Sequence, residues 1–280
     1  MKEVYVQTAS FSRELTADFT GSLEKIAAAG YTGLELFNRI HGGHETGKSL
    51  EAYLKSLGMG IIGSHIQLEW LDEQIAYFDG TECRYLICPG LHIGSRDEAL
   101  KAAEQLNECG KKSKAAGMMI GYHNHNNDFD KYGDKCVIDL LIENTDPELV
   151  TFELDSAWAW RAGVNAAEFI KRYNGRFQLI HVKETTRALT AEDNMFRPGA
   201  FANLPKDKDG RPIFPEEMRK KMEERRKINC KMGDGIINIP DLKATADAQG
   251  CQAYVVEREY AYTGDIFTSL AEDCAHLKTI

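Results

Sequence analysis

One short punctuation recurs along this chain: an apolar helical face, a glycine, then a short apolar run that reads as a strand. It occurs at Gly30, Gly58 and Gly117. A glycine in that place closes a helix through the left-handed conformation and releases the chain into extended structure. Helix-to-strand repeats of this kind build parallel βαβ units. The runs that read as strands are 4–8, 33–37, 60–65, 85–88, 118–125, 149–155, 177–183 and 253–257. Helical spacing fills the gaps between most of them. Phe19, Leu23 and Ile26 form one face within 15–29, and Leu50, Tyr53, Leu54 and Leu57 form another. Ser95 followed by Glu98 predicts a capping box, Asn165 a helix cap, and Ile266, Leu270, Cys274 and Leu277 the apolar face of a last helix.

Eight such strands in 280 residues predict one (β/α)8 TIM barrel domain spanning 1–280. An open doubly wound sheet is the runner-up, but no predicted strand runs into a G-x-G-x-x-G turn. Residues 187–232 break the rhythm with charged, proline-containing sequence. They read as an insertion between strands seven and eight, with an exposed helix over 215–226.

A formal net charge of −9 argues against a nucleic-acid partner, which needs a basic surface to neutralise phosphates. No apolar run is long enough to span a bilayer, so no membrane partner is expected. The start, MKEVYVQTAS, has no signal-peptide core. Seven cysteines without C-x-x-C spacing suit a reducing compartment and free thiols. The chain as given is therefore expected in the cytoplasm, with a removed export signal left open.

In a barrel, the C-terminal strand ends hold the active site. Here they read Glu35, His65, His123 with His125, Asp155, His181 with Lys183, and Glu257 with Glu259. Strand alternation pairs Glu153 with Asp155, His181 with Lys183, and Glu257 with Glu259 on inward faces. Each alone reads as a buried, hydrogen-bonded polar side chain. Gathered in one crevice they need compensation, and a divalent cation supplies it. The mixed nitrogen and oxygen donors suit manganese, zinc, cobalt or iron better than calcium. Neither H-E-x-x-H nor G-x-S-x-G occurs, so neither a zincin nor a serine hydrolase is indicated. Trp158 and Trp160 either floor a sugar pocket or pack the barrel mouth. Lys183 either polarises a substrate oxygen or pairs with Glu153 or Glu184. Gly233 and Gly235 either bring tight backbone to the pocket or punctuate a long loop.

The segments YHNHNNDF, LDSAWAWRAG, IHVKE, GDGIINIPDL and VVERE resemble, in order, the motifs of the xylose-isomerase-like sugar phosphate isomerase/epimerase superfamily. The resemblance runs from GYTGLELF through the last strand. It implies a (β/α)8 barrel that carries one divalent metal ion at its strand ends. Family ligands come from strands five to eight as Glu, Asp, His and Glu. Asp155, His181 and Glu257 match by type, whereas His123 stands where a glutamate is usual, with His125 as the alternative ligand. The implied catalytic residues are Glu257, His123, His125 and Lys183. Glu35, His65, Trp158, Trp160 and Glu259 are expected to line the substrate site. The implied activity is a metal-dependent isomerase or epimerase acting on a small carbohydrate through proton abstraction beside a carbonyl. Loss of the strand-five glutamate disturbs the symmetrical two-glutamate proton shuttle and keeps a keto-sugar or keto-inositol lyase or dehydratase as the alternative. An apurinic-type endonuclease and a metal-free scaffold rank below these. The substrate, its phosphorylation, the metal and any homo-oligomer are left open, the insertion being free to cap the site or to meet a second subunit.

Overall fold

A computed structural model describes residues 3–37, 41–188, 204–205, 213–262 and 264–280. Eight parallel strands close into a barrel: β1 Val4–Gln7, β2 Gly33–Phe37, β3 Gly60–His65, β4 Tyr85–Cys88, β5 Met119–His123, β6 Val150–Asp155, β7 Phe177–Val182 and β8 Ala253–Val256. Each strand pairs with its sequence neighbours, and β8 returns to β1 to close the ring. The helix–glycine–strand joins have the conformation their sequence predicts. Gly30, Gly58 and Gly117 sit at φ +90°, +74° and +79°. The same device recurs before β7 and β8, at Gly175 (φ +73°) and Gly250 (φ +84°). No helix among the described residues is long and apolar enough to cross a membrane.

Several boundaries differ from the sequence reading, each for a local reason. The first helix divides into Ser12–Ala17 and Phe19–Ala28, because Asp18 turns extended and accepts the Gly21 N–H at 2.9 Å as a fresh N-cap. Ser95 caps the helix Arg96–Ala115, but Glu98 reaches back to the Gly94 N–H rather than to Ser95. Strands β5, β7 and β8 stop before His125, Lys183 and Glu257, which therefore stand just past the ladders at the barrel mouth. A short hairpin pairing Lys131–Tyr132 with Lys135–Cys136 and a helix over Val137–Asn144 bridge β5 to β6. Of the 187–232 segment, residues 189–203 and 206–212 lie outside the described residues. Its helix is present over Glu216–Arg226.

The barrel interior is layered. Tyr5, Ile62, Tyr85, Ile87, Leu179 and Val255 form one buried apolar plug. One pleat further along the same strands, Gln7, His181 and Glu257 follow Tyr5, Leu179 and Val255 on the inward face. On β3 the register shifts, Leu34 pairing with Ile61 but Glu35 with Gly63. The extra residue lets Ile62 and His65, three positions apart, both face inward. The outer apolar shell, between strands and helices, holds the remaining core.

The β2–β3 contact depends on two facing glycines that are not equivalent. A Cβ on Gly33 would lie 2.3 Å from the carbonyl oxygen of Gly60, a backbone atom with no freedom to move. A Cβ on Gly60 would meet nothing within 4 Å. Gly33→Ala is expected to cost about 1–3 kcal/mol or more, as for overpacked cores, and Gly60→Ala to change stability by less than about 1 kcal/mol. Urea unfolding of the two variants checks the asymmetry, and equal costs would contradict it.

Candidate metal centre

At the C-terminal strand ends, the residues singled out from sequence converge in two layers. The inner layer comprises Gln7, Glu35, His65, His123, Glu153 and His181, all buried. Glu153 Oε2 stands 2.8 Å from His65 Nε2, 2.9 Å from His123 Nδ1 and 3.2 Å from His181 Nε2. Glu35 Oε2 stands 2.7 Å from His181 Nε2 and 3.0 Å from His65 Nε2, and accepts the Gln7 amide at 2.9 Å. Glu35 and His65 thus belong to an internal network rather than lying open at the mouth.

The outer layer holds His123, Asp155, His181 and Glu257, joined by Lys183 and Glu259. One donor atom from each of His123, Asp155, His181 and Glu257 lies within 4.8 Å of the others. The set His65, His123, Glu153 and His181 meets the same criterion one layer down. His125 is in neither set. It begins the 3-10 helix Asn126–Phe129, with its ring 5.1 Å from that of His123 and 5.3 Å from that of Trp158.

Asp155 caps the helix Ser156–Arg161 by accepting the Trp158 N–H on Oδ1 at 2.7 Å, and its own N–H is held by Asn124 Oδ1 at 3.0 Å. Oδ2 is buried and accepts no hydrogen bond from a described residue, facing Lys183 Nζ at 3.5 Å. Lys183 also meets Glu257 at 3.0 Å and Glu259 at 3.4 Å. It does not pair with Glu184, which instead accepts N–H groups of Thr185, Gly233 and Ile237 and anchors the GDGIINIP loop. A Cβ on Gly235 would lie 2.2 Å from Glu184 Oε1, which explains that glycine. The Trp158 ring lies beneath Lys183, with Nζ 5.1 Å from its centroid. Trp160, two residues on and so rotated to the far side of the helix, packs against the core.

Sequence reasoning passed over Gln7, Asn124 and Arg161. Gln7 carries the same signal as the others, a polar residue closing an apolar strand. Arg161 is 2% exposed, stacks over Trp158 at 4.8 Å and bonds Glu259 and Asn229. Only its place in the fold brings it there.

Electrostatics follow from burial and partners. Burial lowers His123 well below the usual imidazole range. Burial, with the Lys183 ammonium, brings His125 to about 4. Burial also opposes charge on His65, yet Glu35 and Glu153 lift it to about 9. Glu153 is pushed up to about 7 by burial and by the neighbouring Glu35. Burial would raise Glu257, but Lys183 and then His181 hold it well below the carboxylate range. Burial raises Asp155. The carboxylates Asp155, Glu257 and Glu259 face two permanent cations, Lys183 and Arg161, whereas Glu35 and Glu153 face only imidazoles and the Gln7 amide. With an Asp155 oxygen that accepts no hydrogen bond from a described residue and with mixed imidazole and carboxylate donors, the outer set fits a transition-metal cation. Lys183→Met leaves carboxylates buried without their ammonium and should cost about 3–5 kcal/mol. Millimolar manganese or zinc should raise the thermal midpoint of that variant. A variant as stable as the parent would show that Lys183 does not balance this charge.

Residues 23–280 match the family profile described as xylose isomerase-like TIM barrel. An inosose dehydratase of Clostridium perfringens is 31% identical over 138 residues, covering 46% of this chain and 46% of that protein. The matched stretch is thus about half the length of this curated relative. A solved sugar phosphate isomerase/epimerase from Parabacteroides distasonis aligns with a TM-score of 0.75 at 24% identity, covering 99% of this chain and 93% of the other. The IOLI protein, solved with a zinc atom bound, aligns with a TM-score of 0.64 at 14% identity, covering 100% and 96%. At such identities the structural likenesses speak to the fold. The profile spans nearly the whole barrel and every strand end that carries the cluster except that of β1, and on that ground the chain belongs to the xylose isomerase-like TIM barrel family.

Proposed function

We propose that this protein is a metal-dependent enzyme that abstracts a proton beside the carbonyl of a keto-polyol and then eliminates water from it. His123, Asp155, His181 and Glu257 would hold a divalent cation, which would supply Lewis-acid stabilisation to a substrate carbonyl oxygen. Glu257 is the base. Lys183 lies 3.0 Å from it and favours its ionised form at neutral pH. The ammonium of Lys183 also offers N–H donors to a substrate oxygen. The Trp158 ring, beside His125 and Lys183, gives a flat apolar wall against which a sugar or cyclitol face can rest.

The observation that carries the choice is the imidazole of His123 in the strand-five position. Epimerisation needs a base on each face of the substrate. Dehydration needs one: Glu257 takes the proton from carbon, then returns it to the departing hydroxyl, so that water leaves and an enone remains. Sequence similarity to inosose dehydratases supports the same outcome. An isomerase or epimerase shares the first step, with His123 or His125 as the second acid–base group.

Incubation of the metal-loaded protein in deuterated water with inososes, 3-keto-glycosides and ketoses separates these outcomes. Elimination gives an enone absorbance and a product lighter by one water. Exchange into a ketose without that loss would favour the isomerase or epimerase reading. No exchange and no elimination across the panel would overturn both. Glu257→Gln should lower kcat by about 10²–10⁴-fold, the usual contribution of a general base.

A further inference from the structure

The two donor sets share His123 and His181, and their geometry differs in kind. Ligand atoms bound at about 2.1 Å surround an empty centre and stand about 3.0–3.4 Å apart. In the inner layer the centre is filled. Glu153 Oε2 is itself the hub of three imidazoles, at 2.8 Å, 2.9 Å and 3.2 Å. Glu35 Oε2 is a second hub, with His181, His65 and Gln7 around it at 2.7 Å, 3.0 Å and 2.9 Å. Donors converging on an acceptor oxygen describe hydrogen bonds, not a coordination shell.

We infer that Glu35 and Glu153 are positioning residues, inner-layer carboxylates that fix the tautomers of two metal-ligating histidines. With Nδ1 of His123 engaged by Glu153, Nε2 is the nitrogen left for the outer set. With Nε2 of His181 engaged by Glu35, Nδ1 is left, and it already lies 3.2 Å from Glu257 Oε2, a ligand-to-ligand spacing. The two histidines thus present opposite ring nitrogens. His65 Nε2 meets both carboxylates, Glu35 at 3.0 Å and Glu153 at 2.8 Å, and Gln7 bonds Glu35 and the His65 ring. Carboxylates placed behind ligating imidazoles set ring orientation and raise ligand basicity. This inference rests on the outer set being the metal site, as proposed above, and on nothing about the substrate.

Nitrogen NMR of the zinc-loaded, histidine-labelled protein tests it directly. His123 should carry its proton on Nδ1 and His181 on Nε2, assigned through His123→Gln and His181→Gln. Cobalt titration of the stripped protein, followed by visible absorption, is the second arm. Glu35→Gln and Glu153→Gln should each weaken binding about 10–100-fold while keeping one cobalt per chain and the parent spectrum. Glu153→Asp should recover part of the loss, which a merely misfolded variant would not. Asp155→Asn should change the spectrum itself. The inference fails if Glu153→Gln alters the spectrum while Asp155→Asn preserves it, since the metal then sits in the inner layer. It also fails if both glutamine variants bind cobalt as tightly as the parent. A parent that binds no cobalt removes the proposed function as well. Metal binding with the predicted tautomers, but no reaction on any keto-polyol, would leave this inference standing and remove only the activity.

Discussion

The structure depends on how a barrel mouth tolerates buried negative charge. Five carboxylates gather there at or near the strand ends, where an uncompensated charge would cost several kcal/mol. Two solutions are stacked one above the other. In the inner layer Oε2 of Glu35 and Oε2 of Glu153 are each ringed by imidazole or amide donors, while their Oε1 atoms are buried and accept no hydrogen bond from a described residue. In the outer layer Asp155, Glu257 and Glu259 share the ammonium of Lys183, Glu259 also meets Arg161, and an Asp155 oxygen is left without a hydrogen bond from a described residue. The upper layer, whose Asp155, Glu257 and Glu259 stand at the mouth, is the one proposed to take a cation.

The barrel makes that stacking possible. Parallel strands in matched register place alternate residues at the same height, so an apolar plug lies under a polar layer without any loop having to descend into the interior. Register shifts adjust the layering in the β2–β3 pairing, where His65 turns inward beside Glu35, and in the β6–β7 pairing at Glu153. Above the strands, short caps finish the site. Asp155 holds a helix start on one oxygen and offers the other to the pocket. Glu184 anchors the glycine loop by accepting the Gly233 and Ile237 N–H groups.

Much of this was legible in the chain, because periodicity and strand parity are properties of covalent geometry. The repeated glycines foretold the barrel, and parity foretold that Glu153, Asp155, His181, Lys183, Glu257 and Glu259 would meet. What parity could not supply was height and partner. Glu35 and His65 share an inward face with the outer residues yet lie a layer below, and Lys183 has three carboxylate neighbours, none of them adjacent in sequence. Arg161 and Asn229 join the site from elements whose packing is non-local. The break at Asp18 and the 131–136 hairpin turn on single hydrogen bonds and a tight turn, which helical spacing does not encode.

The central claim is that the outer layer holds a metal through His123, Asp155, His181 and Glu257. Elemental analysis of the purified protein beside an Asp155→Ala/His181→Ala double variant tests it most directly. About one transition-metal ion per chain in the parent, and none in a double variant that still folds, is the predicted result. A parent that stays metal-free after reconstitution with manganese, cobalt or zinc would contradict it, as would a double variant that keeps its metal.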